Sequence, residues 1–174
     1  MIFRRLLGVV LFRSTTYKEI AESANLWAES ALLVISLAVA NSLAYTLLNG
    51  PTSQSVLRLI SPPINWALFG YLSTFLIRKL FNAEMPVTRI LNVYAYALVP
   101  GALGLLLFTM ARGVSGSWGA WIVLLLTWLT IIAAIIGIRE ASQITTLRAI
   151  LIFAISFIMT SLILSVVGTI IDAP

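Results

Sequence analysis

The sequence predicts an all-α polytopic membrane protein, a bundle of five transmembrane helices preceded by an amphipathic helix in the membrane interface. Three observations carry this expectation. Hydrophobic residues make up 60% of the chain and charged residues 10%, against roughly 45–50% and about 25% in soluble globular domains. Five apolar segments approach the roughly 20 residues that a helix needs to cross hydrocarbon. Lys and Arg fall almost entirely on one side of those segments. The excess apolar surface exceeds what one water-soluble core of this size can hide, whereas lipid lets most helix faces stay apolar. A single domain, residues 1–174, follows.

The first element is residues 1–13. Ile2, Phe3, Leu6, Leu7 and Val10 fall on one helical face, with Arg4, Arg5 and Arg13 largely off it. That pattern suits an amphipathic helix on the cytoplasmic surface, with the three arginines contacting anionic lipid. A frayed basic terminus is the plainer alternative. The apolar run is short and lacks a small-residue cleavage pattern, so the segment is expected to be retained. Thr16 followed by Glu19 forms a capping-box pattern that starts the next helix.

The five spans are expected at about residues 26–48, 62–80, 90–111, 118–138 and 147–171. Asn49-Gly50-Pro51 ends the first sharply. Pro62 and Pro63 suit the first turn of the second, where a missing N–H is harmless, and residues 55–61 form a short interfacial helix before it. Asn82 to Pro86 breaks the following loop. In the third span, Pro100 removes a donor to the Tyr96 carbonyl and kinks the helix. Gly113, Gly116 and Gly119 loosen the next turn, and Thr145 or Thr146 caps the fifth span.

Orientation follows from the positive-inside rule. With the N-terminus inside, Arg4, Arg5, Arg13, Lys18, Arg78, Lys79, Arg89, Arg139 and Arg148 are cytoplasmic, and only Arg58 and Arg112 lie outside. The C-terminus, with Asp172, then lies outside.

Function classes narrow on composition. The chain has no cysteine and no histidine, which removes thiol nucleophiles, imidazole bases and the commonest zinc ligands. No nucleophile–base pair, phosphate loop or metal-ligand spacing stands in the sequence, so neither a cofactor nor catalysis is expected. The net charge of +5 reflects residues flanking spans, and nucleic acid is not an expected partner. Expected partners are the bilayer, including anionic lipids, and other membrane proteins or a second copy of the chain.

Two polar constellations stand out. Tyr94, Tyr96, Pro100 and Gly101 of the third span, with Asn41 and Asn92, are candidates for a mid-membrane niche; tight helix packing is the alternative. Asn65 is a third amide near a span that should face the bundle. Arg89, Arg139, Glu140 and Arg148 form a candidate cytoplasmic polar cluster. Arg139 and Glu140 are adjacent and do not share a helix face, so Glu140 is available to pair with Arg148 or Arg89 in a cluster that gates or binds; an interfacial anchor is the plainer alternative. Glu29, about one turn inside the first span, is either a snorkelling carboxylate or a proton- or cation-coupling group. Four-residue spacing of small residues in Ala133, Gly137 and Ala141, and in Ser161, Ser165 and Thr169, marks helix–helix or oligomer contacts.

The segment Val93-Tyr94-Ala95-Tyr96-Ala97-Leu98-Val99-Pro100 resembles the GY-x-x-x-P signature in the third span of Yip-one domain proteins, the Ypt/Rab-interacting family, with Ala95 where glycine usually stands. Residues 128–138, followed by Arg139-Glu140-Ala141-Ser142-Gln143-Ile144-Thr145-Thr146-Leu147-Arg148-Ala149, resemble the loop before the fifth span in prokaryotic members. Phe3-Arg4-Arg5-Leu6-Leu7 and Thr16-Tyr17-Lys18-Glu19-Ile20 resemble their N-terminal helix. The resemblance implies five spans, a cytoplasmic N-terminus and a short C-terminus on the other side. Eukaryotic members act in vesicle trafficking and bind Rab GTPases. This sequence lacks their long cytoplasmic N-terminal region and their Asp-Leu-Tyr-Gly-Pro motif, so the resemblance implies a prokaryotic-type member rather than Rab binding. The expected function is non-enzymatic organisation of membrane partners or lipids. The alternative is an oligomeric transporter or channel for a small solute or ion.

Overall fold

A computed structural model describes residues 2–110 and 118–171. Arg112, Gly113, Gly116 and Asp172, invoked above, lie outside the described residues. The described residues form eight α-helices in order: α1 (Ile2–Val10), α2 (Ser14–Glu22), α3 (Trp27–Asn49), α4 (Ser53–Phe81), α5 (Val87–Ala97), α6 (Val99–Met110), α7 (Trp118–Ser142) and α8 (Thr146–Ile171). A short 3-10 turn, Ala24–Leu26, joins α2 to α3. The described residues contain no strand.

Among the described residues, three stretches are long and apolar enough to cross a membrane: Trp27–Leu47, Trp121–Ser142 and Thr146–Val166. These helices are apolar on every side, as lipid permits. The other two expected spans differ in build. α4 is one continuous helix of 29 residues with Pro62 and Pro63 in its interior, which corrects the expectation of a separate helix before a span starting at those prolines. Proline holds φ near the helical value, and the two missing N–H groups cost only two hydrogen bonds within a long helix. The third span is broken at Leu98 into pieces of 11 and 12 residues, each too short to cross alone. Pro100 accounts for the break, since it cannot donate to the Tyr96 carbonyl.

The helix ends follow local chemistry. Gly50 takes a φ of 77° at the end of α3, a conformation open to glycine. Asn82 closes α4 in the left-handed region, φ 50°, which asparagine tolerates. The Thr16–Glu19 capping box does not form: α2 starts at Ser14 with no side-chain cap, and arginines from α1 take the Glu19 carboxylate. A capping box forms instead between Thr52 and Ser55 at the start of α4. Gly119 falls inside α7.

α5 is the central element. It packs against α2, α3, α4 and α7, and every residue from Ile90 to Ala97 is buried. Phe69 of α4 stacks on Tyr94, ring centroids 4.0 Å apart. Gly137 of α7 admits Val93 of α5, whose Cγ1 a Cβ at residue 137 would overlap. Ala133 and Ala141 are buried on the same face, so this small-residue stripe serves contacts inside the bundle. On α8 the buried polar groups are Ser156 and Thr160, whereas Ser161 and Ser165 are exposed. Beyond Leu98, α6 packs against α7 and α3, with Gly101 close to Thr130.

Candidate functional site

Four charged residues at the α1–α2 end of the bundle, Arg4, Arg5, Glu19 and Glu29, converge on one junction. Glu29, in the first turn of α3, accepts hydrogen bonds from Arg5 Nη1 at 3.2 and 3.3 Å and from the Tyr96 hydroxyl of α5. Arg5 Nε donates to Glu19 of α2 at 3.2 Å, and Arg4 reaches the other Glu19 oxygen at 3.2 Å. Asn92, one turn before Tyr96, donates to the Ser23 carbonyl at 3.3 Å. The α5 positions 92 and 96 share a helix face, and that face ties α2 and α3 together. The junction exists because Glu29 enters the bundle at a helix start, where the positive end of the macrodipole favours a carboxylate.

This geometry redistributes the sequence candidates. Arg5, expected at the lipid surface with Arg4 and Arg13, has only 12% of its side chain exposed and is held by two carboxylates. Arg4 stays outside, with 83% exposed, as does Arg13. Tyr96 and Asn92 belong to the charged junction, and Tyr94 packs on Phe69. The reach of an arginine beyond its own helix explains Arg5: burial of its stem along α1 still delivers the head to an acid.

Burial raises the Glu19 carboxyl, but the Arg5 and Arg4 guanidinium groups outweigh it and hold the group below the usual glutamate range. Burial pushes the Tyr17 phenol up from its ordinary value. Its hydroxyl donates to the Val9 carbonyl at 2.9 Å, which seats α1 on α2.

The second constellation does not assemble as expected. Arg139 Nε donates to Glu140 at 3.0 Å, and Arg139 Nη2 to Ser14 Oγ at 3.0 Å. The side chains of adjacent residues curl toward each other off the helix end, which corrects the assignment of Glu140 to Arg148 or Arg89. Arg148 lies 5.0 Å over the Phe81 ring, and Arg89 makes no side-chain bond among the described residues.

A cavity of 310 Å³ lies beyond the Leu98 break, in the half of the bundle away from α1 and α2, and α3, α4, α6, α7 and α8 all contribute to it. Asn41 and Gly101 line it together with Pro62, Asn65 and Thr130, while Tyr94, Tyr96, Pro100 and Asn92 do not. The niche candidates therefore divide between the charged junction, the core and the cavity. Sequence reasoning did not join Arg5, Glu29 and Tyr96. The signal for it was a single carboxylate in the first turn of an apolar span, following an arginine pair on the preceding amphipathic helix.

The apolar helices and the buried core of α5 define a helical membrane protein. The chain belongs to the Yip1 domain family: the family model matches residues 7–168, nearly its whole length. No curated protein and no solved structure matches it.

Proposed function

We propose that the protein is a non-enzymatic, five-span protein of a prokaryotic cytoplasmic membrane whose N-terminal helix pair organises anionic lipids or membrane partners. α4 and the α5–α6 pair complete the five crossings, with the N-terminus cytoplasmic and the C-terminus outside. The observation that carries this reading is the anchoring of α1. Arg5 fixes the helix to Glu19 and Glu29, while Phe3, Leu7, Val10 and Leu11 remain exposed on one side and Arg4 and Arg13 keep their charge outside. An apolar strip flanked by cations suits an anionic bilayer surface. Family membership supports an organising role over a catalytic one.

A spin label at a Phe3→Cys site, in a chain that otherwise lacks cysteine, tests it in nanodiscs containing phosphatidylglycerol. The label should be accessible to oxygen and shielded from a water-soluble nickel chelate. Arg4→Glu with Arg13→Glu should shift it toward water. A label that is aqueous in both proteins sinks the reading. The transport alternative draws on the cavity alone, whose lining carries no charged side chain.

A further inference from the structure

We propose that the cavity beyond the Leu98 break binds an uncharged amphiphile of the monoacylglycerol type, its hydroxyl head hydrogen-bonded to Asn41 and Asn65. The cavity has a structural cause. α5 is buried as far as Ala97 and packs against α4 as well as α3 and α7, whereas α6 packs against α7 and α3. Opposite it, α4 carries Pro62 and Pro63. The 310 Å³ left between them falls within the size range of small-molecule sites.

The lining selects the chemistry. It contains no Asp, Glu, Lys or Arg, so a charged head would lose its hydration with no countercharge. Val34, Leu37, Leu98 and Leu164 give it an apolar wall. Against that wall stand two carboxamides. Asn41 is 8% exposed and commits one of its two amide N–H groups to the Leu37 carbonyl at 3.1 Å, leaving Oδ1 as an acceptor. Asn65 makes no hydrogen bond to any described residue, so it offers both donor and acceptor. The Thr127 and Thr130 hydroxyls donate instead to carbonyls of their own helix, at 2.8 and 3.0 Å. An amide in hydrocarbon is costly unless paired, and a glycerol head supplies hydroxyl donors for Asn41 and Asn65 and an ester carbonyl for the Asn65 N–H. Thr127 is exposed on the bundle surface, so the cavity reaches the lipid side and the distal chain lies in the surrounding hydrocarbon. The inference rests on the bundle crossing the bilayer, as proposed above, and is independent of what α1 contacts.

Native mass spectrometry of the full chain released from detergent, with monoolein, methyl oleate or oleate added, tests it. Monoolein should form a one-to-one complex. Methyl oleate, which lacks the hydroxyls, and oleate, which is charged, should bind about tenfold more weakly, the equivalent of one or two neutral hydrogen bonds. Asn65→Leu should weaken monoolein by the same factor, whereas Asn65→Ser, which puts a hydroxyl donor and acceptor in place of the carboxamide, should retain most of the binding. If Asn65→Leu fails to fold, Asn41→Leu serves the same comparison. Absence of a monoolein complex, equal binding of methyl oleate, or undiminished binding to the leucine variant overturns the proposal. None of these outcomes moves the spin-label result at residue 3, so the two readings fail separately.

Discussion

The Tyr96 hydroxyl of α5 donates to the same Glu29 carboxylate that Arg5 of α1 approaches from the other side. A residue deep in the most buried helix is thereby coupled to the N-terminal helix through one acid. Glu19 extends the chain of contacts to Arg4 at the surface.

Removing the acid should be felt more than removing the phenol. Glu29→Ala leaves the largely buried Arg5 side chain with Glu19 alone and Tyr96 without an acceptor, and should destabilise by roughly 1–3 kcal/mol. Tyr96→Phe should cost less, about 0.5–1.5 kcal/mol. The double variant should lose less than the sum, because both substitutions break the same contact. Thermal melting in detergent reads all three; strict additivity would argue against the coupling.

The hold on α1 should depend on pH at both extremes. A carboxyl whose folded pKa is lowered contributes stability that is complete above its unfolded value, about 4.3, and is lost as pH falls through the folded value. Glu19 is such a group, so α1 should stay seated at neutral pH and loosen below about pH 4.3. Tyr17 is raised, so its contribution is complete below the unfolded phenol value of about 10 and is lost as pH rises beyond it. Mobility of a spin label on α1 reads both limbs. Glu19→Gln should blunt the acidic one and Tyr17→Phe the alkaline one.

Gly137 is required by Val93. Gly137→Ala puts a Cβ onto Val93 Cγ1 and should destabilise by about 1–3 kcal/mol through overpacking. Val93→Ala in the same chain should recover part of that loss, a non-additivity expected of residues in contact. An equal loss in the single and double variants, by thermal melting, would remove this contact as the cause.

The buried bond between Ser73 of α4 and Ser156 of α8, 2.9 Å, should be weak in energetic terms. Hydrogen bonds between membrane helices couple by about 0.6 kcal/mol on average and at most about 1.7 kcal/mol. A double-mutant cycle with alanine at both positions should fall in that range, and a larger value would point to a rearrangement of α4 against α8.

The sequence by itself determined the all-helical membrane class, the α3 end at Asn49-Gly50, the interruption over Asn82 to Pro86 and a distortion of the helix at Pro100. Each depends on composition or on a local backbone property, and local properties survive in any fold. It did not reveal that α4 runs through Pro62 and Pro63, because a proline pair reads equally well as a start or as an interior defect. Only the tertiary structure decided which side of each apolar helix faces inward. α3, α7 and α8 are apolar all round, so no period in the sequence marks the core face, and packing chose Ser156 and Thr160 over Ser161 and Ser165. The same holds for the polar groups. Long side chains such as Arg5 and Arg139 reach partners set by how helices meet, and the bend at Leu98 placed Asn41 in a cavity and Tyr96 on an acid.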